Sequence, residues 1–260
     1  GNIRMLLNES TGIHVQQTSA TSFNSSIRIQ GLDGKYTQLL RDGMPLYGGF
    51  SGGLSLLQVA PLDLKQVEVV KGSNSTLYGG GAIAGIVNLI SKKPDGESER
   101  SLLLNGTSAG GVDASGFFSG MSEGVGASLF TSYNTSQAYD PADNGLSAIP
   151  EFERWTFNPQ LFLGGESSEL RLGISAVVED RLGGGIDFIQ GRRDVPAYYE
   201  DSSTERVSTQ LEYVTQLNSG NEFVLRNSVN HFERELDVPG FSFSGKQIST
   251  FSEAHIVGAS

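Results

Sequence analysis

Three short stretches of the chain have residue types and spacings that could support chemistry. The first is rich in glycine: Gly79, Gly81 and Ala84 satisfy the G-x-G-x-x-G/A pattern of dinucleotide-binding loops and follow the strand-like stretch QVEVV. In such loops the glycine turn opens a helix whose N-terminal amides hold a pyrophosphate. Here the next stretch, GIVNLIS, alternates like a strand and stops before Pro94, so no helix is available. The pattern favours a strand, a glycine-rich turn and a second strand over a nucleotide site.

The second stretch, GFSGG at 49–53, matches the G-x-S-x-G pattern of serine hydrolases with Ser51 as the nucleophile. The pattern requires a strand, a sharp turn and a helix around the serine, and none of these is apparent. Its catalytic partner would have to be His231 or His255, and both lie in strand-like stretches. We therefore expect no enzyme activity, with hydrolysis at Ser51 kept as the alternative.

The third stretch is the acidic segment YDPADNG at 139–145, which with Glu200 and Asp201 has the oxygen ligands that calcium selects. The full spacing of a calcium-binding loop is missing, and an acidic loop is usually just solvated. The three histidines have no metal-ligand spacing. We expect neither a metal nor a cofactor, and a calcium ion between loops stays the alternative.

Composition excludes several classes of protein. The 260 residues include no cysteine, 29 acidic and 18 basic residues, and the net charge of −11 argues against nucleic-acid binding. The absence of cysteine excludes disulfides and thiolate metal sites. The sequence contains no run of about 18 apolar residues, so no transmembrane helix is predicted. Nothing at Gly1 resembles a signal peptide, so we expect the chain to begin at a processed end or inside a longer protein.

The two halves of the chain have different patterns. Up to about Lys93 the elements are short and mixed: helical spacing over 2–10, then strand candidates in GIHVQQ, SIRIQG, TQLLRDG and QVEVVKG. After Gly96 long stretches alternate without helical periodicity. In one of them Trp155 and Phe157 share a face with leucines, while arginine, threonine, asparagine and glutamine take the other face. This predicts a small α+β domain over 1–95 and antiparallel strands over 96–260.

Strand length and connection length favour a membrane barrel for the second half. Each alternating segment has about ten to twelve residues, the length that a tilted strand needs to cross a bilayer. Tight links around 122–124, 164–168 and 218–221 alternate with long polar links at 136–152, 180–204 and 233–247. Short turns on one side and long loops on the other are typical of outer-membrane barrels. A soluble antiparallel sandwich is the alternative, although its strands are usually shorter.

The first half closely resembles the plug domain of the TonB-dependent outer-membrane transporters. The resemblance rests on five motifs in one order: STGIHV (10–15), SIRIQGL (26–32), LLRDGMPL (39–46), LDLKQVEVVKG (62–72) and STLYGGGAIAGIVNLISKKP (75–94). The second half is similar to the first strands of the family's 22-stranded barrel. The resemblance implies an α+β plug followed by part of an antiparallel transmembrane barrel. The sequence departs from the family at Gln30, where arginine is common, and at Ser73, where proline is usual.

The resemblance also implies roles for particular residues. Contacts between plug and barrel are expected at Lys71, Arg28 and Glu68, with the Gln30 departure removing one basic candidate. Aromatic side chains near the outer mouth are expected to contact the ligand. The glycines near these motifs are expected to be structural, through positive φ or close backbone approach. The ligand contacts are Tyr47, Phe50 and Phe23, and the structural glycines are Gly43, Gly72, Gly79, Gly81 and Gly85.

The function implied is active import of a scarce, bulky nutrient such as an iron-siderophore or cobalamin across the outer membrane of a Gram-negative bacterium. The implied partners are TonB, which would bind upstream of the helix at 2–10, the nutrient ligand, and outer-membrane lipid or lipopolysaccharide. An oligosaccharide or peptide importer is the alternative within transport. A soluble β-rich hydrolase that uses Ser51 is the alternative of another class.

Overall fold

A computed structural model describes residues 13–17, 25–29, 32, 36–46, 61–72, 84–192, 198–217 and 220–258. The described part of the first half contains six strands: β1 (Ile13–Gln17), β2 (Ser25–Ile29), β3 (Thr37–Arg41), β4 (Met44–Pro45), β5 (Leu64–Lys71) and β6 (Gly85–Ser91). Together they are called the N-terminal unit. The helix predicted over 2–10 lies outside the described residues.

The N-terminal unit has an apolar core between two small sheets. Strands β1 and β2 form an antiparallel pair, and the four-stranded sheet has the order β4-β3-β6-β5, in which β3 runs parallel to β6. Strand β6 is rich in β-branched residues and is mostly buried, as expected for a central strand. Val87 and Leu89 are fully buried in it. The core further contains Ile13, Val15, Ile29, Leu39, Leu64 and Ala84.

The second half forms one eight-stranded antiparallel sheet, here called the wall sheet, with neighbouring strands paired in chain order from one edge, β7, to the other, β14. Its strands are β7 (Glu99–Gly106), β8 (Val112–Ser122), β9 (Val125–Ser136), β10 (Glu151–Gly164), β11 (Ser168–Gly184), β12 (Tyr199–Gln216), β13 (Glu222–Val238) and β14 (Phe241–Val257). A four-residue helix, α1 (Ile186–Ile189), lies between β11 and β12. None of the helices in the described ranges is long and apolar enough to cross a membrane.

The wall sheet buries its polar face and exposes its apolar face. On β10 the side chains of Arg154, Thr156 and Asn158 are buried, whereas Trp155 and Phe157 are 54% and 50% exposed. The same inversion continues on β11 and β12. Alternation with a period of two residues lets every strand present one polar and one apolar face. The buried polar face, called the inward face, is the one that meets the N-terminal unit.

The connections follow the predicted alternation at two of the three predicted long links. At one end of the strands the links are short, at 123–124, 165–167 and 217–221, and at the other end longer segments occupy 137–150 and 185–198. The prediction of a long loop over 233–247 is wrong. Strands β13 and β14 continue through this region and are joined only by Pro239 and Gly240. The polar residues in this region suggested a loop, but hydrogen bonding between the backbones of neighbouring strands does not require apolar side chains.

Candidate functional site

The hairpin between β3 and β4 projects toward the wall sheet. Its two turn residues, Asp42 and Gly43, both have positive φ, at 52° and 79°, and the flanking pair is Arg41 opposite Met44. Positive φ at both central positions is the geometry of the two-residue type I′ turn, for which Asp-Gly is a favoured sequence. The turn therefore places Arg41 and Asp42 side by side at the tip of the hairpin.

Asp42 connects the N-terminal unit to the wall sheet. Its buried carboxylate accepts hydrogen bonds from the backbone N–H of Ser91, at 2.9 Å, and from the Ser91 hydroxyl, at 2.8 Å. The Nη1 atom of Arg171, on β11, lies 2.8 Å from the same carboxylate. The N–H groups of Arg171 do not point along that line, so this contact is an ion pair and not a hydrogen bond.

Arg41 makes the second connection through Asp63. The buried guanidinium of Arg41 forms an ion pair with Asp63 and donates from Nε to the Ser91 hydroxyl at 3.0 Å. Burial alone would lower the pKa of Arg41, but the carboxylates of Asp63 and Asp42 outweigh burial and raise this pKa. Asp63 also accepts a hydrogen bond of 3.2 Å from the side-chain amide of Asn158, on β10. The N-terminal unit thus contacts two adjacent wall strands through charged and amide groups.

The ion pairs continue along the inward face of the wall sheet. Arg171 is only 1% exposed and also lies 3.5 Å from Glu212, on β12. Glu212 accepts a hydrogen bond of 2.7 Å from Arg226, on β13, and Arg226 lies 3.5 Å from Glu253, on β14. Together with Arg41, Asp42, Asp63 and Asn158, these side chains are called the contact network. The network shares its charges over five neighbouring strands, which compensates the burial of Arg171.

Gly43 has a steric role in addition to its positive φ. A Cβ atom at this position would lie 3.2 Å from Nη1 of Arg226 and 3.3 Å from its Cζ. A side chain here would require the Arg226 guanidinium to shift by a few tenths of an ångström, and the positive φ would strain any other residue. Glycine therefore fits this position for both reasons. A similar restriction applies to Gly85, whose Cβ would clash with the Val70 carbonyl oxygen.

The residues predicted to join plug and barrel lie elsewhere. Lys71 and Glu68 are exposed on β5, with Lys71 opposite Gly85 in the register. Glu68 accepts hydrogen bonds from Gln66 at 2.8 Å and from Asn88 at 3.1 Å, both within the N-terminal unit. Arg28 pairs with His14 in the backbone register of β1 and β2. Their contact with a barrel wall stays a prediction.

Several predicted residues fall outside the described part of the chain. These include the proposed ligand contacts Tyr47, Phe50 and Phe23, two of the glycines, Gly79 and Gly81, and the alternative nucleophile Ser51. Of the other predicted structural glycines, Gly72 and Gly85 have φ values of 90° and 145°. The two histidines considered as catalytic partners lie on β13 and β14, where each is next to a glutamate.

The acidic segment that was considered as a calcium site forms hydrogen bonds to backbone N–H groups in its own loop. Asp140 accepts hydrogen bonds from the N–H groups of Ala142, at 3.2 Å, and Gly145, at 2.7 Å. Asn144 accepts one from Leu146 at 3.0 Å. Within the described ranges, no group of three or more His, Cys, Asp or Glu side chains is placed to hold a metal ion.

Sequence reasoning missed most of the contact network. It identified Gly43, and it placed Asn158 on the polar face of a wall strand, but it did not connect Asp42 or Asp63 with that face. The available signals were the Asp-Gly turn and the arginines on inward positions of alternating strands. Neither signal indicates which of the many inward polar residues meets the hairpin.

Comparison with known proteins assigns the two halves. Residues 1–86 match the family model described as TonB-dependent Receptor Plug Domain. A sequence relative, the vitamin B12 transporter BtuB of Vibrio vulnificus (strain YJ016), is 32% identical over 78 residues, which is 30% of this chain and 13% of that protein. The family-model match supports the predicted plug domain, because it covers four of the five motifs and most of the fifth.

Two solved receptors share the fold over 98% of the chain. The siderophore receptor PirA from Acinetobacter baumannii has a TM-score of 0.70 at 20% identity, and the chain covers 42% of it. The alcaligin outer membrane receptor FauA from Bordetella pertussis has a TM-score of 0.74 at 14% identity, with 40% covered. The chain thus spans less than half the length of these proteins, and the predicted plug and partial barrel are confirmed as its fold.

Proposed function

Because the chain is a TonB-dependent receptor sequence, with the plug domain in its first 86 residues, we propose that the whole protein imports a scarce, bulky nutrient across an outer membrane. The plug is the N-terminal unit, and the wall sheet is part of the barrel around it. The domain boundary near residue 95 belongs to this proposal. So do the outer-membrane location, the ligand and the coupling to TonB.

The inverted wall sheet supports a membrane location. Large apolar side chains on its outward face, among them Trp155, Phe157 and Ile174, are about half exposed. Contiguous exposed apolar surface is rare on soluble proteins and is required on the lipid side of a barrel. Lipid and lipopolysaccharide are therefore the partners of this face, and the inward polar face is suited to water and to a polar plug.

The polar contact network is the observation that carries the transport proposal. A plug held by an apolar interface would expose that surface whenever it moved, at a cost of about 25 cal/mol per Å². Here Asp42 and Arg171 connect plug and wall through charges, and Asn158 adds a hydrogen bond to Asp63. Water can replace such contacts one by one in an aqueous lumen. The plug can therefore shift under force from TonB without losing its own core.

The ligand is proposed to bind on the side of the long connections. The segments 137–150 and 185–198 lie at that end of the wall, and the hairpin of β13 and β14 extends there as well. Tyr47, Phe50 and Phe23 stay the predicted aromatic contacts on the plug, because aromatic rings combine apolar area with few rotors. An iron-siderophore or cobalamin is the nutrient class proposed, in line with the names of the relatives.

Uptake by the whole receptor tests the proposal. We expect cells that produce it to accumulate labelled ferric siderophore or cobalamin only when TonB is present, with the protein in the outer-membrane fraction. A matched variant, Ser51→Ala, should take up the nutrient normally, because Ser51 has no catalytic role here. Uptake that is equal without TonB, or ester hydrolysis lost in Ser51→Ala, would contradict the proposal.

A further inference from the structure

Four arginines meet on the inward face of the wall sheet, away from the contact network. Arg154 on β10, Arg181 on β11, Arg206 on β12 and Arg234 on β13 occupy neighbouring strands. One row of the register across these four strands contains Arg154, Glu179, Thr204 and Arg234, in strand order. Arg181 and Arg206 are each two residues from that row. These side chains are called the arginine cluster.

The arginine cluster has more positive than negative charge. Its central acid is Glu179, which forms ion pairs with Arg154 and, at 2.6 Å, with Arg181. One row further along, Glu200 is opposite Gly183. For Arg206 and Arg234, no carboxylate in the described part of the protein lies within ion-pair distance, although Arg234 donates to the Ser202 hydroxyl at 3.2 Å. Four of the 18 basic residues of an acidic chain thus lie within three neighbouring inward rows.

Arg206 combines deep burial with the lack of an ion-pair partner in the described part of the chain. It is only 6% exposed, and its Nε atom is buried without a hydrogen-bond partner among the described residues. Its guanidinium carbon lies 5.6 Å from the centre of the Phe232 ring, which offers a weak contact and no counter-charge. Glu179 attracts Arg206 but does not form an ion pair or a hydrogen bond with it, so the burial of this cation is only partly compensated. An anion from outside the chain would satisfy both the charge and the free donor.

The position of the arginine cluster fits a ligand and not a plug contact. Arg154 is four residues before Asn158 on β10, and Asn158 contacts the plug at Asp63. At about 3.3 Å per residue, Arg154 lies about 13 Å from Asn158 along the strand, and Arg206, which is in the register row of Thr156, lies about 7 Å from it. The cluster lies toward the end that bears the connections 137–150 and 185–198. A nutrient that enters from that end meets the cluster before it meets the plug contacts.

We propose that the arginine cluster is an anion-binding site of the importer, which selects a multiply anionic iron chelate with carboxylate or catecholate oxygens. The inference rests on the proposed function, since it names the charge class of the imported nutrient. Arg206 and Arg234 supply the free donors, and Arg154 and Arg181 hold the positive potential while Glu179 keeps them in place. Guanidinium groups suit this role because their planar N–H groups match carboxylate oxygens.

Binding to the purified whole receptor tests this site with probes of opposite charge. The anionic probes are the ferric complexes of enterobactin and of citrate, and the cationic probe is the ferric complex of desferrioxamine B. The variants are Arg206→Gln and Arg234→Gln, which leave Glu179 with its partners. Lys246→Gln is the control, because this substitution also removes one positive charge. Lys246 pairs with Glu233, which is next to Arg234 in the chain but lies on the outward face.

We expect wild type to bind at least one anionic chelate and to bind the cationic one far more weakly. Each arginine variant should raise the Kd for the anionic chelate about tenfold or more, whereas Lys246→Gln should change it less than about twofold. Melting temperatures identify variants that fail to fold. If Arg206→Gln does not fold, Arg234→Gln still tests the site, because Arg234 is only half-buried. Unchanged anion affinity in folded variants, or binding of neither anionic chelate by wild type, would overturn the site.

Uptake separates failure of this site from failure of the proposed function. TonB-dependent uptake of cobalamin without binding of either anionic chelate leaves the importer intact and makes the anion site wrong. Anion binding that depends on Arg206 and Arg234, with no uptake of any nutrient, supports the site and refutes import.

Discussion

The N-terminal unit and the wall sheet sort the same kinds of side chain in opposite ways. In the N-terminal unit Val87 and Leu89 are fully buried, and charged residues of β5 such as Lys71 are exposed. In the wall sheet Arg154 and Arg171 are buried, and Trp155 is 54% exposed. Both regions consist of alternating strands, so the local structure is the same. The difference shows that alternation alone does not decide which face of a strand is buried.

The contact network lies where these two arrangements meet. The outside of the N-terminal unit is polar, as on a water-soluble domain. The wall sheet is apolar on its outward face and polar on its inward face, which meets the N-terminal unit. The ion pair of Asp42 and Arg171 joins these two polar surfaces. The contrast between the regions can be tested by substitutions at matched positions.

The largest effect is expected from breaking the network on one side. Arg171→Ala would remove the ion-pair partner of the buried Asp42 carboxylate on the wall sheet, which costs about 3–5 kcal/mol of plug stability. Urea unfolding of the plug within the whole receptor, followed by hydrogen exchange of β6 amides, measures the change. The control is Arg192→Ala, because the pair of Arg192 and Asp187 is about half exposed and should contribute at most about 1 kcal/mol. Equal losses in both variants would show that the network is solvated and unimportant for docking.

A smaller contrast is expected between two leucines. Leu89→Ala removes a fully buried side chain from the N-terminal core and should destabilise the plug by about 2–5 kcal/mol. Leu161→Ala removes an outward side chain that is 38% exposed, and lipid tails can fill the space, so its effect should stay below about 1 kcal/mol. Thermal unfolding of both variants in lipid vesicles measures the difference. A larger loss at Leu161 would mean that the outward face is packed against protein.

The last contrast concerns depth along the outward face. Ile174→Arg places a charge on lipid-facing β11, well inside the strand, and should cost about 2–4 kcal/mol. Ile256→Arg, one residue before the end of β14, should cost about 0–1 kcal/mol, because the charge can reach the interface. Equilibrium folding into lipid vesicles gives both values. If the two arginines cost the same, β11 and β14 do not cross a bilayer in the proposed way.

Local patterns in the sequence predicted most of the strands but not their contacts. Alternation places Trp155 and Arg154 on opposite faces, and the Asp-Gly pair predicts a tight turn at Gly43. Alternation does not indicate where a strand ends, which is why the polar residues over 233–247 were interpreted as a loop although they form strands. It also does not align residues that are distant in the chain. Asp63 and Asn158 meet across 95 residues, and this depends on the register of every intervening hairpin.

That separation has a consequence for the order of folding. Hairpins of the wall sheet join neighbouring segments and can form early, since short loops close at little entropic cost. Asp42 and Asp63 lack their partners on the wall sheet until β10 and β11 have paired, and Arg226 reaches the Asp42–Gly43 turn only after β13 has joined. The plug charges therefore stay hydrated through most of assembly. Docking becomes a late step that reports whether four consecutive wall strands have the correct register.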